Sequence, residues 1–173
     1  MREGKPAAPE EQADPVIDLR TDAYIDGGYI ADAMHKIELY QRIAAIRKNE
    51  EIRDLLDELI DRFGEPSANM MNLLAVARIK NYARDIGVKS IVEKPSMLEI
   101  VLQDKPNFAV KGMVKLEDTF GRNLRMLPAQ HAMQFRLLPA YKKSITGFVT
   151  RVLMMLSGDE KAFQPRKSKK VLA

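Results

Sequence analysis

Residues 83–102 read ARDIGVKSIVEKPSMLEIVL, and the spacing of apolar residues changes inside them. Up to Ile86 the chain keeps a helical period. Met70, Leu73, Leu74, Ala77 and the run from Tyr82 to Ile86 form one stripe, and Gly87 ends it. Beyond Gly87, residues 88–93 and 98–102 are short runs rich in β-branched side chains, which predicts strands. Helices therefore lie upstream of this stretch and strands begin within it. Segregated runs of this kind predict an α+β fold in one domain.

Working upstream, Pro66 and Ser67 open the helix that Gly87 closes. Before it, residues 49–64 read NEEIRDLLDELIDRFG. Ile52, Leu55, Leu56, Leu59, Ile60 and Phe63 fall at i, i+3, i+4, i+7, i+8 and i+11. That is the strongest amphipathic pattern in the chain. Asn49 is expected to cap this helix, with Glu50 and Glu51 in the first turn where the dipole favours anions. Gly64 is expected to supply a left-handed stop. Burial of the six apolar side chains is worth on the order of 10 kcal/mol before entropy. A further helix is predicted from about 32 to 48, with Met34, Ile37, Tyr40, Ile43 and Ala44 on its buried side. Residues 15–25 (PVIDLRTDAYI) read as an extended segment or edge strand.

Downstream, residues 104–116 predict a short helix, with Pro106 in its first turn and Gly112 weakening it. Residues 123–127 and 132–137 predict two strands joined by a tight turn at 128–131. Residues 142–156 predict a closing helix, with Ile145, Val149, Val152, Leu153 and Leu156 on one face and Gly158 as its stop. The expected architecture is a helical N-terminal half packed with a small, mainly antiparallel sheet and a C-terminal helix. The expected organisation is a lead-in over 1–14, one domain over 15–160 and a basic tail over 161–173.

Composition narrows the chemistry. The chain has 173 residues, 46% hydrophobic and 30% charged, with no cysteine and two histidines, His35 and His131. Disulfides, thiolate metal sites and cysteine nucleophiles are excluded. The absence of cysteine fits a reducing, cytoplasmic setting. No apolar run reaches the roughly 18 residues of a membrane span. The opening MREGKPAAPEEQADP has no apolar core, so no signal peptide is expected. The net charge of +4 comes from the tail cations Arg166, Lys167, Lys169 and Lys170. This basic balance leaves a nucleic-acid-binding accessory module as an alternative reading.

The stretch DELIDRFG, residues 57–64, admits three uses. As the acidic motif of a nucleotide hydrolase it needs a phosphate cradle, G-x-x-x-x-G-K-[ST], and no such stretch occurs. As a metal site, Asp54, Asp57, Glu58 and Asp61 share one helix face by their spacing. However, two-metal sites gather carboxylates from several elements into a cleft, and this face is convex. As the outer face of an amphipathic helix, the charges are solvated. His35 and His131 have no nucleophile at a recognisable spacing. No catalytic, metal-binding or cofactor-binding residues are assigned.

Several motifs in order carry a resemblance. A-Y-I-x-x-x-Y-I spans Ala23 to Ile30 and L-Y-x-R-I spans Leu39 to Ile43. D-E-L-I-D-R-F-G spans Asp57 to Gly64, and N-L-L-x-V-A-R-I-K spans Asn72 to Lys80. Together these resemble the C-terminal domain of the bacterial transcription-repair coupling factor family, Mfd. The likeness is dense over 18–87 and looser to 156. Two positions depart from the family pattern. Asp26 stands where the family has proline after A-Y-I, and Gly64-Glu65-Pro66 is one residue shorter than the family turn.

The resemblance implies a regulatory, non-catalytic domain of an ATP-driven DNA translocase. In such a parent, ATP and magnesium belong to the motor. RNA polymerase and DNA are contacted by other modules. This domain docks on a UvrB-like module and covers the surface that binds UvrA. Glu58, Asp61 and Arg62 are the expected partner-binding residues, at i, i+3 and i+4 on the outward side of their helix.

Overall fold

The computed structural model describes residues 13–158. The tail expected over 161–173 lies outside them, as does the lead-in up to residue 12. The elements in chain order are β1 (Val16–Asp18), α1 (Ala33–Ala45), α2 (Asn49–Phe63), α3 (Ala68–Ile86), β2 (Val88–Glu93), β3 (Met97–Leu102), α4 (Val110–Phe120), β4 (Leu124–Leu127), β5 (Ala132–Arg136), α5 (Pro139–Lys143) and α6 (Ile145–Ser157). The fold is α+β. One five-stranded sheet runs in the order β1-β2-β3-β5-β4. Its pairs are antiparallel except for the edge, where β1 runs parallel to β2 with Ile17 opposite Ile91. The same edge is tied just beyond β1, where the Arg20 amide donates to Glu93 at 2.6 Å across 73 positions of sequence.

Apolar side chains collect in two cores. The first lies between the sheet and α3, α4 and α6. It includes Ile91, Leu98, Ile100, Met133 and Phe135 from the strands. Aromatic rings meet within and beside it: Phe120 meets Phe135 edge-on at 5.2 Å, and Phe148 stacks on Tyr141 at 4.3 Å. The second core joins Leu39 and Ile43 of α1, Ile52, Leu55 and Leu59 of α2, and Met70, Leu74 and Ala77 of α3. Helix α3 belongs to both. Its N-terminal half faces α1 and α2, while Ile79, Tyr82, Ala83 and Ile86 face the sheet.

Several local expectations are revised. In α1, Met34 and Ile37 are exposed and Tyr40 is 40% exposed; Leu39 and Ile43 are the buried pair. Helix α1 ends at Ala45, and Asp32 caps it by accepting from the His35 amide at 2.9 Å. Asn49 does not cap α2. It is the first helical residue, and its side-chain Oδ1 accepts from Nδ2 of buried Asn81 of α3 at 3.1 Å. The helix predicted from 104 begins instead at Val110. Its Gly112 is the point of closest approach to α6: a Cβ there would lie 2.0 Å from the Met155 carbonyl oxygen. The segment that enters the closing helix is split into α5 and α6.

Candidate functional site

The outward side of α2 carries the residues singled out by the sequence. Helix α2 buries Ile52, Leu55 and Leu59, so Glu58 and Arg62 fall on the flank that faces α1 and Asp61 points to solvent. Glu58 is held on both oxygens. Arg42, reaching over from α1, places Nη2 at 2.7 Å from Oε2, and Arg62 places Nη1 at 3.3 Å from Oε1. The Arg62 guanidinium also lies over the Phe63 ring, 5.0 Å from its centroid. Phe63 in turn meets the Tyr29 ring edge-on at 6.1 Å.

Electrostatics follow this geometry. The hydrogen bond from Arg42, with Arg62 second, holds the Glu58 carboxyl below its ordinary value, and Glu58 raises the Arg42 guanidinium in return. Glu58 is therefore an anion whose charge is largely answered within the domain. Asp61 remains as an exposed carboxylate.

Between α1 and α2 runs a groove of about 120 Å³. Ile30, Leu39, Leu55, Leu59 and Phe63 form its floor. His35, Glu38, Arg42, Glu58 and Arg62 form its rim. An apolar floor with a charged rim suits a reversible protein contact. All the acids of the alternative metal reading lie on α2 itself, and among the described residues no group of three or more potential metal ligands is gathered.

The loop over residues 20–31 braces this face from behind. Ile25 and Ile30 are buried in the second core. The Tyr29 hydroxyl donates to the Gly64 carbonyl at 2.9 Å and sits 3.3 Å from that of Leu59, so it closes the end of α2. Gly64 has φ 82° and ψ −167°, a positive-φ extended conformation rather than the left-handed helical one expected, and one that a side chain strongly disfavours. Asp26 clasps the start of α3: Ser67 and Asn69 both donate to its carboxylate, the latter at 2.8 Å, while Ser67 caps the helix by accepting from the Met70 amide. These two hydrogen bonds, Ser67 first, hold the Asp26 carboxyl below its ordinary value. The departure from proline at position 26 thus supplies a clasp between loop and helix.

Sequence reasoning placed Glu58, Asp61 and Arg62 on one outward side and paired Arg62 with Glu58. It missed Arg42, which comes from another helix. The available signal was the spacing of His35, Glu38 and Arg42 along one flank of α1, which the three exposed apolar residues on its other sides obscured.

Comparison with known proteins bears on the family of the chain. The family described as TRCF domain matches residues 19–113. The transcription-repair-coupling factor of Staphylococcus epidermidis is 30% identical over 139 residues, covering 79% of this chain and 12% of that protein. That of Bacillus subtilis is 33% identical over 119 residues, 68% of this chain and 10% of that protein. The chain thus spans about a tenth of the length of these relatives. A crystal structure of the C-terminal domain of transcription-repair coupling factor superposes with a TM-score of 0.70 at 22% identity, over 86% of this chain and 96% of that one. Among the described residues no helix is long and apolar enough to cross a membrane.

Proposed function

The chain belongs to the TRCF domain family, and from that premise we propose that it serves as the non-catalytic regulatory C-terminal domain of an ATP-driven DNA translocase that couples transcription to excision repair. In this reading the face built on α2 docks on a UvrB-like module of the same parent and covers the surface that binds UvrA. Glu58, Asp61 and Arg62 are the docking residues, and Arg42 joins them. Catalysis, ATP and magnesium belong to the parent's motor, and this domain supplies only a latch.

The observation that supports the reading best is the state of these charges. Glu58 pairs with Arg42 and Arg62, Arg62 lies over the Phe63 ring, and both Glu58 and Arg62 border an apolar groove, while Asp61 is exposed. Preorganised charge on a partly apolar surface gives a contact that is specific but weak enough to open. A regulatory coupling of this kind carries about 1–3 kcal/mol, or 5- to 150-fold in affinity. The test is made in the full-length parent carrying this domain. Replacing Glu58, Asp61 and Arg62 together by alanine is expected to raise UvrA affinity within that range. UvrA binding that does not change, with circular dichroism showing the domain still folded, sinks the reading.

A further inference from the structure

Helix α1 has a second flank, turned away from α2. There, between α1 and α3, runs a groove of about 220 Å³. Tyr40 and Ala44 of α1 and Leu73, Val76 and Ala77 of α3 make it apolar over most of its length. Ile37, one turn before Tyr40 and half exposed, extends the same strip. One end is basic. Lys80 and Arg84 line it, and Arg47 lies near enough to act on the same anion. That anion is Asp14, whose carboxylate accepts from Arg84 Nε at 2.8 Å. The Asp14 side chain is 61% exposed and that of Arg84 only 18%, so the acid sits at the mouth and the guanidinium in the wall. Both anchoring groups are set in advance. The Tyr40 hydroxyl accepts from the Ile25 amide at 2.8 Å, and Arg84 Nη1 donates to the buried Asn81 side chain at 2.9 Å.

We propose that this groove docks an acidic amphipathic helix of a partner protein, with its apolar side chains on the floor and its carboxylates at the basic end. Charge selects the partner. Among the described residues that line the groove, Lys80 and Arg84 stand against the one carboxylate of Asp14. Asp14 occupies that end as a partner's acid would, and it is exposed enough to give way. Backbone chemistry selects the form. Both walls are helices, whose peptide groups are bonded within themselves. They offer an incoming chain no ladder of donors and acceptors, so the segment that lies there must satisfy its own. The length agrees as well. From Leu73 to Arg84 helix α3 rises about 16 Å, or three turns. Apolar residues at i, i+3 or i+4 and i+7 reach along the floor, and an acid one turn further on meets Arg84.

Helix α1 separates this groove from the Glu58 face, where Arg42 stands on its other flank. The proposal is therefore independent of what that face binds.

The probe is a phage-displayed library of random peptides about 16 residues long, selected on the full chain at low salt. Enriched sequences are expected to carry the apolar spacing with Asp or Glu at one end, and their synthetic forms to turn helical on binding. Lys80→Glu is expected to weaken the best of them about tenfold. Ala44→Gln, which narrows the groove from an exposed site, should also weaken it, while Lys111→Glu, a matched reversal on α4, leaves it unchanged. Asp14→Asn is expected to tighten binding, because the internal competitor is gone. Enrichment of uncharged or basic sequences, or of none above background, overturns the proposal. So does a Lys80→Glu variant that binds like the wild type, or an Asp14→Asn variant that binds more weakly. A chain that sediments as a dimer, and as a monomer with Ala44→Gln, assigns the groove to a second copy and overturns it too.

Discussion

Glu58 shows how much a single residue's role depends on its neighbours. Read along one helix, it pairs with Arg62 at i+4, an exposed contact worth a few tenths of a kcal/mol. In the folded chain it also pins α1 to α2 through Arg42. Both guanidinium groups are about half exposed, so solvent discounts the pair heavily. Arg42→Ala is expected to cost about 0.3–1 kcal/mol at neutral pH, read from the urea midpoint. The pH dependence has a definite sign. The folded carboxyl titrates below its ordinary 4.5, so the stabilisation is present above that value and is lost as pH falls through the lower folded one. The gap between wild type and variant should therefore narrow as pH is lowered through the carboxyl's folded value. A gap that persists there assigns the loss to packing of the Arg42 stem. None of this was legible from i, i+4 spacing, because sequence periodicity encodes contacts within an element and Arg42 arrives from another.

At the scale of elements, legibility follows how many faces an element buries. Helix α2 packs one face and exposes the other, so its period was readable almost to the residue. Helix α1 buries only Leu39 and Ile43. With grooves on two flanks and exposed Met34 and Ile37 beyond them, its apolar residues surround the helix and no single stripe marks the core. Helix α4 shows another limit. Gly112 looked like a weak point by propensity, since alanine is favoured over glycine by about 1 kcal/mol in a helix interior. Here the missing side chain lets α4 lie against the backbone of α6 at Met155. Gly112→Ala is expected to destabilise by about 1–3 kcal/mol, because an added methyl must drive two helices apart. Chemical denaturation decides the sign: a more stable variant means that the α4–α6 contact yields freely.

At the scale of the molecule, two cores are threaded on one helix. Leu55 lies in the core of α1, α2 and α3, and Ile100 in the core beneath the sheet. Both are almost wholly buried. Either one changed to alanine is expected to cost about 2–5 kcal/mol. Because α3 supplies buried residues to both cores, each variant should lower the midpoint of one shared transition, seen alike by circular dichroism and tyrosine fluorescence. Two separated transitions would show that α3 can melt in halves. The period change at Gly87 revealed the α+β class. The partition into two cores was not legible, because one continuous stripe on α3 gives no sign that its halves face different neighbours.

The parallel edge strand adds a timing rule. A ribosome makes β1 first, yet its hydrogen-bonding partner β2 emerges only after the entire helical half, 73 positions later at the Arg20–Glu93 tie. At cellular elongation rates that is a wait of about 4–15 s, and the closure it ends is entropically the most demanding in the sheet. The nascent helices can dock with one another during the interval, but β1 has no strand to pair with until β2 has emerged. Its pairing encloses the whole helical half in one loop, and it becomes possible while β3, β4 and β5 are still to be synthesised.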